Sequence, residues 1–289
     1  MKLIVASKQN LASKNLAEEL LTQAKFEEQT KNILYSKDLD IYLYYTEQDI
    51  TDFNIKKFLE YSRKLRFRRM EKTFSFLPYK KINESQIELL IVLCTHKSQS
   101  NTKSILVHPC GNFEDNDLGG EKNKLSIAPT SAISQLFKIL KQNQEKVKDY
   151  LIGLEQTHHG PTLNIPILYL EIGSTDKEYN DKHAIKIIIE SLIEFLKQEP
   201  KNYKEIAFCI GGTHYAPKFL KYLESTDDTA IGHILTKHHN ITKQTIELGL
   251  NFTTPKSNIV LIDWKGLPGE KRQATVKILE ELNISYKKL

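Results

Sequence analysis

Apolar runs alternate with amphipathic stretches along most of this 289-residue chain. Lys2 to Ala6 opens as a strand-like run, and Ser13 to Ala24 follows with Leu16, Leu20 and Leu21 at helical spacing. Ile41 to Tyr45 is a second strand-like run. Glu88 to Cys94 (ELLIVLC) is apolar enough for a strand covered on both faces, and Ser104 to Val107 is another short strand. Ser131 to Leu151 reads as one long helix through Ile133, Leu136, Phe137, Leu140, Val147 and Leu151. Ile165 to Leu170 (IPILYL) is too short for an independent helix. It suits a central strand, with Pro166 near its start, where a strand tolerates proline. Asp181 to Lys197 is an amphipathic helix, Ile206 to Ile210 and Asn258 to Ile262 are strands, and Pro268 to Leu282 is a final helix. Alternating β and α segments predict a layered α/β fold.

Hydrophobic residues at 40% and charged residues at 27% describe an ordinary globular protein. No apolar run approaches the length of a membrane span, and Met1 to Ser7 turns polar too soon for a secretory signal, so a cytoplasmic protein is expected. Cys94, Cys110 and Cys209 lie in or beside apolar runs, the pattern of buried free thiols in a reducing compartment.

The formal charge of +5 becomes informative only when located. Between Lys56 and Lys81 ten lysines and arginines face two acids, Glu60 and Glu71. Four of the five arginines, Arg63, Arg66, Arg68 and Arg69, are here, interleaved with Phe58, Tyr61, Phe67, Phe74, Phe76 and Tyr79. Arginine forks match phosphate oxygens and aromatic faces stack on unpaired bases, so the stretch suits a nucleic-acid contact. A solvated basic face with its aromatics turned inward has the same composition.

Polar chemistry gathers at the ends of the predicted strands. Thr95-His96-Lys97-Ser98 follows one strand and His108-Pro109-Cys110-Gly111 the next. The stretch Glu155 to Tyr179 holds His158, His159 and the Gly160-Pro161 turn, then the IPILYL run, Glu171 and the Gly173-Ser174-Thr175-Asp176 loop. Ile206 to Ile210 runs into Gly211-Gly212-Thr213-His214, a turn that is neither a P-loop nor a dinucleotide fingerprint but leaves backbone amides for an anion or a carbonyl oxygen. Neighbouring His158 and His159 reach one site only from an irregular loop, which Gly160-Pro161 supplies. Glu171, Asp176 and Glu178 are the carboxylates near enough in sequence to partner them. Histidines with a carboxylate make either an open zinc site or a general acid/base pair. His183 reads as a structural helix residue and His239 as exposed.

The motifs THKS at Thr95, HPCGNF at His108, THHGPT at Thr157, EIGSTDKE at Glu171 and GGTHYAP at Gly211 together resemble the archaeal and plant-type D-aminoacyl-tRNA deacylases, from about residue 2 to about residue 285. The resemblance implies a single three-layer α/β domain over residues 1–289, phosphorylase/peptidyl-tRNA hydrolase-like, with a mixed, mostly parallel central sheet and a basic insertion or flank at 56–81. It implies hydrolysis of the ester joining a D-amino acid to the 3′ ribose of tRNA, a form of chiral proofreading, by a monomer acting on the tRNA acceptor end, with zinc as the associated metal. His158, His159, Glu171 and His214 are then expected around the scissile ester, and His96 and His108 as zinc ligands or as groups orienting the CCA end. Lys97, Ser98, Gly173, Ser174, Gly211, Gly212 and Thr213 are expected to bind substrate, the glycine turns by holding the developing oxyanion. Arg63, Arg66, Arg68 and Arg69 are expected on the RNA. Two alternatives stand beside this reading: a peptidyl-tRNA or metal-dependent peptide hydrolase on the same fold, and a non-catalytic tRNA-binding protein.

Overall fold

The computed structural model describes residues 1–51, 53–62 and 83–289. The strands are β1 (Lys2–Ser7), β2 (Glu27–Thr30), β3 (Ile33–Ser36), β4 (Ile41–Thr46), β5 (Leu89–His96), β6 (Ser104–His108), β7 (Gly111–Asn112), β8 (Lys124–Leu125) and β9 (Ala128–Pro129). They continue with β10 (Leu151–Leu154), β11 (Ile167–Gly173), β12 (Glu205–Ile210), β13 (Thr229–Leu235), β14 (Thr253–Thr254), β15 (Ile259–Ile262) and β16 (Tyr286–Lys288). The helices are α1 (Leu11–Gln23), α2 (Lys56–Ser62), α3 (Thr130–Gln142), α4 (Asp176–Tyr179), α5 (Lys182–Lys197), α6 (Pro217–Glu224), α7 (Lys243–Asn251) and α8 (Gly269–Glu281).

The fold is α/β, with a mixed, mostly parallel eight-stranded sheet in the order β10-β6-β11-β5-β1-β4-β3-β2. β5 and β11 lie at its centre, and the apolar character of both runs follows from burial on two faces. β11 is parallel to β5 but antiparallel to β6. The strands read from Ile206 and Asn258 do not join this sheet. They form a second, four-stranded parallel sheet, β13-β12-β15-β16. One apolar core binds the two sheets, because Ala207, Cys209, Ile231, Ile234 and Leu261 pack in the same cluster as Ile105, Val107 and Leu154.

The predicted helix from Ser131 to Leu151 ends early. α3 stops at Gln142, and the Gln144 amide donates to the carbonyls of Val147 and Tyr150, closing a tight turn. Leu151 to Leu154 then enters the large sheet as β10, parallel to β6. The LIGL run is four residues, and only its first, Leu151, falls within the predicted helix. Four residues of the basic stretch, Arg63, Arg66, Arg68 and Arg69, lie outside the described residues. The three cysteines are buried and free. Among the described residues no helix is long and apolar enough to cross a membrane.

Candidate active site

Five strand ends or strands deliver the site. β5 ends on His96, β6 on His108, β10 runs straight into Glu155, β11 carries Glu171, and the turn after β12 carries His214. The loop after Glu155 adds His158 and His159. His159 adopts a left-handed backbone with φ 46°, and this irregularity brings the two neighbouring rings to an edge-on contact 4.4 Å apart. The His108 ring stacks on His158 at 4.6 Å and meets His159 edge-on at 5.0 Å. Tyr169 closes the floor, stacked on His108 at 5.3 Å, its hydroxyl within hydrogen-bond reach of the Ile50 and Gly160 carbonyls. Gly160 is needed for close approach, since a Cβ there would lie 2.3 Å from the Thr51 carbonyl oxygen and 2.4 Å from the Gly120 nitrogen.

The rings are oriented by backbone carbonyls. Nδ1 of His108 donates to Pro109 O at 3.0 Å, Nδ1 of His158 to Gln156 O at 2.9 Å, and Nδ1 of His159 to Gly160 O at 2.6 Å. Each histidine therefore turns a bare Nε2 toward the cluster, the orientation by which an outer hydrogen bond prepares a metal ligand. The ligand atoms of His108, His158 and His159 lie within 4.8 Å of one another. So do those of His96, Glu155 and Glu171, and those of Glu155, His158 and His214. Nε2 of His108 and Oε2 of Glu155 are buried without a hydrogen-bond partner among the described residues, an expensive arrangement unless something else is bound there.

Two carboxylates knit the histidines together. Glu155, 0% exposed, has Oε1 at 2.5 Å from Nε2 of His214 and 3.3 Å from Nδ1 of His96. Glu171, 3% exposed, lies 3.5 Å from His96, 3.4 Å from His108 and 3.7 Å from His159. Burial alone would raise both carboxyl pKa values. The neighbouring histidines reverse this, His214 and His96 beside Glu155, His108, His159 and His96 beside Glu171, and hold both well below the usual carboxylate range. Burial opposes a proton on His96, but Glu155 and Glu171 outweigh it and push its pKa up to about 11. Burial drives His158 well below the ordinary histidine value, and His159 and His108 add to the effect. Nε2 of His96 meets the Tyr215 hydroxyl at 3.1 Å, and His214, its side chain 38% exposed, opens the cluster to solvent.

All six of the histidines and carboxylates named at the outset as catalytic or metal-ligating thus converge. The residues expected to bind substrate flank the cluster and make contacts of their own. Gly211 N–H donates to Leu235 O at 2.8 Å, so it is not available to an oxyanion. Gly212 lies against the Asp263 carboxylate. Gly173 permits close packing on His96, a Cβ there falling 2.3 Å from the His96 carbonyl oxygen. Ser174 donates to Thr102 O at 2.8 Å and meets Ser98 Oγ at 3.1 Å. Lys97 and Thr213 are exposed. Neither Asp176 nor Glu178 partners the histidines. Asp176 is exposed at the start of α4, and Glu178 accepts from the Thr175 amide and hydroxyl in a capping box. His183 is exposed and bonds the Lys146 carbonyl, while His239 is half-buried, its Nδ1 at 3.1 Å from Thr236 Oγ1.

Sequence reasoning missed Glu155 as a site residue: β10 begins at Leu151, where the predicted helix ends, and the carboxylates matched to His158 and His159 were those after the IPILYL strand. It also missed His233. This residue is 0% exposed, accepts from the Thr157 hydroxyl at Nδ1 and donates from Nε2 toward the Ser126 and Phe252 carbonyls. It braces the loop that carries His158. Its position inside the apolar run TAIGHIL was the available signal.

The family model described as D-aminoacyl-tRNA deacylase matches residues 83–287. A D-aminoacyl-tRNA deacylase of Thermococcus onnurineus is 31% identical over 292 residues, covering 99% of each chain. One of Methanococcus maripaludis is 31% identical over 262 residues, covering 87% of this chain and 100% of its own. A crystal structure of a conserved protein of unknown function, AF0625, superposes with a TM-score of 0.82 over 100% of this chain and 95% of its own, at 23% identity, and shares the fold.

Proposed function

The chain belongs to the D-aminoacyl-tRNA deacylase family, and on that premise we infer that it hydrolyses the ester between a D-amino acid and the 3′ ribose of tRNA, releasing both. The observation that carries the chemistry is the pair of buried atoms without partners, His108 Nε2 and Glu155 Oε2, inside a ring of oriented histidines. Such a cluster has no packing purpose that apolar residues would not serve better.

The residues fit zinc. His108, His158 and His159 supply three imidazole nitrogens oriented from outside, and His96, held charged by Glu155 and Glu171, is not among the ligands. A bound zinc would polarise the ester carbonyl or lower the pKa of its water. The chain's own groups do the rest. Glu155 and Glu171, ionised by their histidine neighbours, accept a proton from an attacking water. His96, kept charged by both, holds a proton where the ribose oxygen leaves, with Tyr215 hydrogen-bonded to its outer nitrogen. The half-exposed side of His214 is the way in for the substrate.

The reading assigns the arginines at 63, 66, 68 and 69 to phosphate contacts, where each lost charge should flatten the salt dependence of binding by about one unit of slope. It also takes residues 1–289 as one domain acting as a monomer; the core common to both sheets supports the single domain.

The test is release of free D-amino acid from D-aminoacyl-tRNA by the purified protein. The ester should be cleaved far faster than its spontaneous hydrolysis, faster than the L-ester and faster than an N-acylated tRNA, and His159→Ala should abolish the gain while tRNA binding persists. A wild-type rate equal to the spontaneous one sinks the reading. Preference for the N-acylated substrate would replace it with peptidyl-tRNA hydrolysis.

A further inference from the structure

Resting on that reading of the site, we propose that Gln156 and Thr236 are positioning residues that hold His214 in a single tautomer, so that His214 donates to Glu155 Oε1 and leaves Oε2 turned to the cluster.

The four side chains form one unbroken line. Thr236 Oγ1 donates to Gln156 Oε1 at 3.0 Å, Gln156 Nε2 donates to His214 Nδ1 at 2.8 Å, and His214 Nε2 donates to Glu155 Oε1 at 2.5 Å. The direction follows from what each group can do. An ionised carboxylate only accepts, so the His214 nitrogen facing it carries the hydrogen. In a neutral imidazole the other nitrogen is then an acceptor and requires a donor, which is the amide group of Gln156. The Gln156 carbonyl is left facing Thr236, whose hydroxyl supplies the last hydrogen. Thr236 Oγ1 in turn takes a hydrogen from Nδ1 of half-buried His239 at 3.1 Å. Turning the Gln156 amide over would put the hydrogen on His214 Nδ1 and press a bare Nε2 against a carboxylate.

The backbone fixes the line at both ends. Gln156 N–H donates to the His214 carbonyl at 2.9 Å, and Thr157 N–H to the Ile234 carbonyl at 3.1 Å. Two consequences follow. His214 spends its Nε2 on Glu155, so it is not a metal ligand although it lies within ligand reach of Glu155 and His158. Glu155 has Oε1 taken up by His214 and His96, and its unpartnered Oε2 is the oxygen aimed at His108, 3.7 Å away. Gln156 and Thr236 touch neither substrate nor metal and act through His214.

Nitrogen-15 labelling of histidine in the zinc-loaded wild-type protein, with His214→Gln used for assignment, reads the tautomer directly. His214 should show a protonated Nε2 and a bare Nδ1. Gln156→Glu keeps the shape but offers only acceptors, so the same spectrum should show a hydrogen on Nδ1, alone or together with one on Nε2. Zinc affinity, read by competition with a chromogenic chelator, should fall about 10- to 100-fold in this variant, with the melting curve unchanged. Thr236→Val, which removes only the hydroxyl, should give a smaller loss in the same direction. A bare Nε2, or a zinc-bound Nε2, on wild-type His214 overturns the proposal, as does an unchanged tautomer in Gln156→Glu. A shifted tautomer with unchanged zinc affinity overturns the aiming of Glu155. These measurements need no substrate, so a wild-type protein that fails to deacylate D-aminoacyl-tRNA would defeat the functional reading and leave the spectra to judge this one.

Discussion

His108 Nε2 and Glu155 Oε2 face each other 3.7 Å apart, both fully buried and neither with a hydrogen-bond partner among the described residues. Two acceptors left facing in a dry interior are stable only if a proton or a cation lies between or beside them.

Removing metal is therefore expected to unmake the site. Dialysis against a chelator should abolish deacylation, and added zinc should restore it. Stability should fall with it, since a ligand at a thousand times its Kd stabilises by about 4 kcal/mol. Full activity in protein shown by elemental analysis to be metal-free would rule this out.

Glu171 touches three histidines, so Glu171→Gln removes a charge without removing volume. Loss of a proton acceptor at the reacting centre should lower kcat by about 10²- to 10⁴-fold, with a smaller change in KM. A kcat within a factor of three of the wild type would take Glu171 out of the chemistry.

His233 gives the acid limb of stability a specific cause. Burial lowers its pKa to about 4, since its two nitrogens are committed to Thr157 and to backbone carbonyls in the neutral form. The unfolded value is higher, so the unfolded chain binds this proton first and stability drops as pH falls from about 6.5 through 4. The full effect is about 3 kcal/mol, from 1.4 kcal/mol per pKa unit. Denaturant midpoints across this window should fall steeply in the wild type and less steeply in His233→Gln. Parallel slopes would show that another group is responsible.

Gly160→Ala tests the close approach beneath the histidine loop. A methyl group there meets backbone at Thr51 and Gly120, atoms that cannot swing aside. The expected destabilisation is about 1–3 kcal/mol, the usual effect of overpacking, together with reduced activity as the His158–His159 loop shifts. An unchanged melting temperature would refute the tight contact.

Much of the layout was legible along the chain. The strands at Lys2, Ile41, Glu88, Ser104, Ile165, Ile206 and Asn258 announce themselves because burial on two faces demands unbroken apolar runs. His96, His108, His158, His159, Glu171 and His214 stand out because polar residues at the ends of such runs have no core function. Two features were hidden by local ambiguity. β10 is four residues long and begins at Leu151, the last position of the predicted helix, so it was not read as a strand, and with it went Glu155. The hairpin of β2 and β3 was missed because β2, Glu-Glu-Gln-Thr, has no apolar residue and β3 offers only three in a row.

Sequence by itself determined which residues must be buried, which turns break the strands, and which histidines are left over for chemistry, because these depend on residue type and local spacing. Tertiary structure alone decided who meets whom. The order β10-β6-β11-β5 sets Glu155, His108, Glu171 and His96 on neighbouring strands although they are up to 75 positions apart, and the second sheet brings His214 and His233 to opposite ends of one loop. Such meetings are fixed by strand order and register, which arise from the packing of the whole core and leave no mark in any short stretch of chain.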